Sequence, residues 1–92
     1  MSDKKAYKPP NLTKAPRTLA AVQNDVLALT RFWTWIEDVP KSQQILAKEF
    51  GGELHKIGGI QAMRETYYLA RERNKAANVL QYYWDGVGEW VA

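Results

Sequence analysis

A chain of 92 residues that is 46% hydrophobic, 12% aromatic and 25% charged is long enough for one domain, and too apolar to be read as an intrinsically disordered polypeptide. It has no cysteine and one histidine, which excludes a disulfide framework and thiol catalysis and leaves no ligand set for a zinc cage. The formal charge is +3 and the isoelectric point about 9.3, yet the excess is uneven: residues 1–17 hold five bases against Asp3, a net of +4, whereas the other eight bases face nine acids.

That imbalance, together with Pro9, Pro10 and Pro16, predicts a flexible basic arm over 1–17 and a single helical domain over 18–92. Lys4, Lys5 and Lys8 in the arm are candidate partner-binding residues, through attraction to an acidic surface. No apolar run approaches the roughly 20 residues of a spanning helix, and MSDKKAYKPP lacks the apolar core of a signal peptide. The expected location is therefore cytoplasmic, without a membrane partner.

The next segment carries Leu19, Val22, Val26, Leu29, Trp33 and Ile36 at spacings of three and four, which predicts a helix over 18–38 with one buried seam. Val39 precedes Pro40, and a residue before proline is driven out of helical geometry. Ala21, Ala28, Phe32 and Trp35 fall on the opposite side of this helix. Either another part of the chain or another molecule should cover them, so Phe32 and Trp35, with Trp90 of the tail, form a candidate aromatic interface.

Ser42 is placed to cap a second helix over 42–50, with Ile45, Leu46 and Phe50 facing inward and Gly51-Gly52 ending it. GELHKI then reads as a short turn or loop. Within SQQILAKEFGGELHKIGGI, Ala47, Gly51 and Ile57 stand at the small-residue, turn-glycine and later apolar positions of a helix-turn-helix, so segment 42–60 resembles that motif. The resemblance implies DNA binding with Glu53, Leu54 and His55 toward the groove. Gly58 and Gly59 would then lie inside the recognition helix, at a cost of about 1 kcal/mol each.

A third helix is predicted over 60–84, ended by Gly86 and Gly88. On its wheel Arg64, Tyr68, Arg71, Lys75, Asn78 and Tyr82 lie within about 40° of one another. This stripe has no acid, and its arginine forks, tyrosine rings and asparagine amide suit a polar, anionic partner. Ala62, Leu69, Ala76, Ala77, Leu80 and Trp84 form the opposite, core-facing side. Arg73 projects toward that side and should pair with Glu37, Asp38 or Asp85, or emerge between helices. The tail YYWDGVGEWVA should reverse at its glycines and lay Trp90 and Val91 over Phe32 and Trp35.

His55 reads as a surface or cap residue, Ser42 as a cap, and the glycine pairs follow no strand and precede no phosphate-loop lysine. No catalytic set, metal site or cofactor is expected. The sequence thus points to an all-α chain, a small three-helix bundle with an irregular aromatic tail. Its expected role is a non-enzymatic regulatory or inhibitory protein that docks on a larger protein or nucleoprotein assembly through the basic-aromatic stripe. Direct nucleic-acid binding by the helical domain and an obligate homo-oligomer through Phe32 and Trp35 are the alternatives.

Overall fold

The computed structural model describes residues 17–34 and 39–91. Helix α1 spans Leu19–Thr30, α2 spans Lys41–Arg73, a 3-10 turn follows over Lys75–Val79, and α3 spans Leu80–Tyr83. There is no strand among the described residues; the chain is a small all-α bundle. No described helix is long and apolar enough to cross a membrane.

Helix α1 begins at Thr18, whose extended backbone lets its hydroxyl accept from the Ala21 amide at 3.1 Å; such a cap typically contributes about 1 kcal/mol. The expected seam turns inward: Val22 and Val26 are fully buried, and Leu19 and Leu29 pack against the core. The helix stops at Thr30, well before the expected end at Asp38. The chain tightens there through the local bonds Arg31 N–H to Ala28 O and Trp33 N–H to Thr30 O, and a residue distant in sequence caps the end. The Asn74 amide nitrogen donates to the carbonyls of Thr30 at 2.9 Å, Arg31 at 3.3 Å and Trp33 at 2.8 Å, which satisfies acceptors that the helix end leaves open. Trp33 is buried just beyond it, its indole N–H donating to Gln43 Oε1 at 2.7 Å. Ile36 and Trp35 lie outside the described residues.

Gly51-Gly52 does not end a helix. Residues 41–57 are helical without interruption, GELHKI included, and the break falls at Gly58 (φ −144°, ψ 16°) and Gly59 (φ 68°, ψ −160°). Ala47, Gly51 and Leu54 make the buried stripe of this half, in place of the expected Ile45 and Leu46, which are exposed, and Phe50, which is half-buried. The reason is Trp84. Its fully buried indole donates to the Ala47 carbonyl at 2.6 Å, and a Cβ on Gly51 would lie 2.7 Å from the ring. Only the small side of the helix can accept so large a ring. With no turn at Gly51, the helix-turn-helix resemblance of segment 42–60 has no counterpart in the fold.

The second half of α2 buries Ala62, Met63, Thr66, Tyr67 and Ala70 and ends at Arg73. The helix expected to run unbroken over 60–84 is thus interrupted. Asn74 is extended (φ −151°, ψ 110°), and its side-chain oxygen accepts from the Ala76 amide at 3.1 Å, starting the 3-10 turn. Ala76, Ala77, Leu80 and Trp84 remain in the core as expected, whereas Leu69 is exposed. Arg73 sits at the helix end, exposed beside Thr30 and Arg31, and does not enter the apolar interior.

The tail reverses at Gly86 (φ 88°) and Gly88 (φ 57°), conformations that side chains resist. It does not cover Phe32, which is 81% exposed. Trp90 packs edge-on against Trp84 and Tyr67, with centroids 5.2 and 5.4 Å away, while Val91 stays exposed. At the other end, Arg17 belongs to the fold and not to a free arm. Its guanidinium pairs with Asp25 on α1 and Glu53 on α2 and lies 5.7 Å from the Phe50 ring centroid. The Glu53 bond is the main reason that its pKa is raised.

Candidate functional site: the basic-aromatic face of α2

The period of the second half of α2 places Tyr67 inward and Arg64, Tyr68 and Arg71 outward. Arg71 lies one turn beyond Tyr67, within reach of both tyrosines. Its guanidinium carbon is 5.4 Å from the Tyr67 ring centroid and 5.5 Å from that of Tyr68, cation–π distances. One guanidinium nitrogen donates to the Tyr67 hydroxyl at 3.3 Å, and that bond is the first cause of the raised Arg71 pKa. The two tyrosine rings meet at an edge, 5.3 Å between centroids. Tyr68, 58% exposed, is therefore braced from below by Tyr67 and from the side by Arg71.

Tyr67 links this face to the tail. Its hydroxyl accepts from the Gln81 amide at 3.4 Å, and the Trp90 indole N–H donates to the Gln81 carbonyl at 3.0 Å. Glu89, next to Trp90, meets His55 Nε2 of α2 at 2.8 Å. The bond from His55, aided by a backbone bond, holds the Glu89 carboxyl below the ordinary carboxylate range. Gly88 lies against the His55 ring with no room for a Cβ. His55, expected as a surface or cap residue, is a half-buried anchor for the C-terminal turn.

Two recesses flank the Tyr68–Arg71 pair. One brings Lys75 and Asn78 to Tyr68 and Arg71, together with Glu65, Leu69 and Glu72. The other is lined by Arg64, Tyr68 and Arg71 together with Gln81, Glu89 and Trp90. Five residues of the expected stripe are thus gathered around one centre, though not in one line. Tyr82 is exposed on α3 and lines neither recess, because the interruption at Asn74 removes the helical register on which its alignment depended. The stripe is free of acids, but Glu65 and Glu72 share its first recess, so the surface has mixed charge.

Of the candidate aromatic interface, Phe32 is exposed with the Arg31 guanidinium 5.2 Å from its ring centroid, and Trp90 is buried inside the molecule. Trp35, Lys4, Lys5 and Lys8 lie outside the described residues. The residues that the sequence did not single out are Tyr67, Gln81 and Glu89. Tyr67 had a local signal, its four-residue spacing from Arg71; Gln81 and Glu89 had none, since their roles arise only when the tail folds back. No protein-family model, curated protein or solved structure matches the chain.

Proposed function

We propose that the chain is a small non-enzymatic regulatory or inhibitory protein that docks on a larger protein or nucleoprotein assembly through Arg64, Tyr68, Arg71 and Lys75. The observation that carries this reading is the bracing of Tyr68. A 58% exposed tyrosine with Tyr67 and Arg71 against its ring loses little freedom on binding, and tyrosine and arginine are the residues on which interface energy concentrates. The mixed charge of the first recess, with Glu65 and Glu72 beside Arg71 and Lys75, suits a protein surface better than a phosphate backbone, which would meet those carboxylates at close range.

The test is capture from nuclease-treated lysate of the source cells with a photo-crosslinker next to Tyr68, comparing the native chain with R64E/R71E/K75E. Capture of a discrete protein partner, lost in the triple variant while helical circular dichroism is unchanged, supports the reading; capture unaffected by the three changes refutes it. A salt titration against duplex and single-stranded oligonucleotides runs in parallel, because binding that falls steeply with salt would assign the face to nucleic acid.

A further inference from the structure

Among the described residues, the backbone bonds of the tail beyond Asp85 stay local. The Val87 amide donates to the Trp84 carbonyl at 2.8 Å, the Gly86 amide to the Trp90 carbonyl at 3.1 Å, and the Trp90 amide to the Val87 carbonyl at 3.0 Å. Val87 packs half-buried against the core, and Trp90 and Glu89 make the specific contacts that anchor this turn to the body. The Trp90 indole is 8% exposed, with the edges of Tyr67 and Trp84 against it and its N–H on the Gln81 carbonyl. Glu89 reaches His55. Aromatic walls with one acceptor for the indole N–H are what a tryptophan-recognition pocket requires, and the seated Trp90 and Tyr67 in turn line a surface recess shared with Arg64, Tyr68 and Arg71.

We infer that the Tyr67–Trp84 pocket is a recognition site for an acid-tryptophan segment, with the chain's own Glu89-Trp90 as the resident occupant. A partner segment of the same chemistry then enters by displacing the tail. Its tryptophan takes the place of Trp90 and its carboxylate takes His55. The tail competes at the high effective concentration that tethering gives, so the pocket is closed to weak ligands and open to a partner that also engages Tyr68 and Arg71. That last step rests on the docking reading; the seating of Trp90 on Tyr67, Trp84 and the Gln81 carbonyl does not.

The probe is a fluorescent peptide GVGEWV, the sequence of residues 86–91, titrated by anisotropy against the full chain. W90A, with the pocket vacated, should bind it at least tenfold more tightly than the native chain, and the peptide GVGEAV should bind to neither. A W90A chain that keeps its helical circular dichroism and binds GVGEWV no better than the native chain overturns the inference. Where W90A loses its helical signal, E89A decides. Glu89 is exposed, and loss of its pair with His55 should raise peptide affinity about two- to fivefold, the upper range of a surface ion pair, whereas unchanged affinity overturns the inference. No partner protein enters this experiment, so its failure leaves the docking reading to the capture assay.

Discussion

Helix α2 contains two adjacent-glycine pairs, seven residues apart, and they behave in opposite ways. Gly51-Gly52 lies inside a regular helix, and Gly58-Gly59 breaks one. Local chemistry is the same at both, since each pair removes two side chains and loosens the backbone by roughly 1 kcal/mol per glycine relative to alanine. What differs is the surroundings. Gly51 packs under the Trp84 ring inside the domain, whereas Gly58 has only the Ala62 Cβ nearby, and a Cβ on Gly59 would meet nothing within 4 Å; the φ of 68° with ψ of −160° at Gly59 belongs to glycine. A glycine pair therefore permits a break and does not demand one; a large partner pressed on the missing side chains can keep the helix whole.

The largest expected effect comes from removing that partner. Trp84→Ala should destabilise the fold by about 3–5 kcal/mol through loss of the indole and the cavity left behind, read as a lower denaturation midpoint. Gly51→Ala should cost about 2 kcal/mol. Overpacking against the ring and loss of the indole bond to Ala47 outweigh the roughly 1 kcal/mol gained in helix propensity. The same substitution in the Trp84→Ala background should reverse sign and stabilise by about 1 kcal/mol, a coupling that a double-mutant cycle isolates; equal costs in both backgrounds would separate Gly51 from Trp84.

The second pair gives a comparable test. Gly59→Ala should cost about 1–3 kcal/mol, because the backbone there lies in a region essentially reserved for glycine. A stabilising result would show that residues 41–73 prefer one straight helix. The smallest effect is expected at Gly52, where an added Cβ meets nothing within 4 Å. Gly52→Ala should raise stability by about 0.5–1 kcal/mol, with the sign opposite to that at its neighbour.

These contrasts mark how far the sequence could be read. Periodicity identified the seam of α1 and the core positions Ala62, Ala76, Ala77, Leu80 and Trp84, because burial on a helix leaves a local signature in spacing. Where an element stopped was harder. Pro40 was legible as a barrier, but α1 ends at Thr30, where an asparagine far along the chain caps it, and no pattern near Thr30 announces that. The same asparagine divides the predicted third helix and takes Tyr82 out of a stripe whose other five members gather around Tyr68 and Arg71. The spacing points Ile45 and Leu46 inward, but the face that packs on the core carries Ala47, Gly51 and Leu54, because Trp84 seats on glycine and alanine. Arg17, assigned to the arm on composition, is held by Asp25 and Glu53, one of them 36 residues away. In each case the missing information was the identity of a distant neighbour.

Asn74 has a consequence in time as well as in space. A helix whose stop signal is local reaches its final length as soon as it forms, but α1 receives its cap from a residue 44 positions after Thr30. Closing that loop carries an entropic cost that local helix formation does not. An end that depends on that contact should fray until the junction of α2 and the 3-10 turn docks on it, while Thr18 fixes the beginning. An excised peptide of residues 17–34 should show this as helicity that frays at its C-terminal end, whereas in the folded chain Asn74 caps the boundary at Thr30.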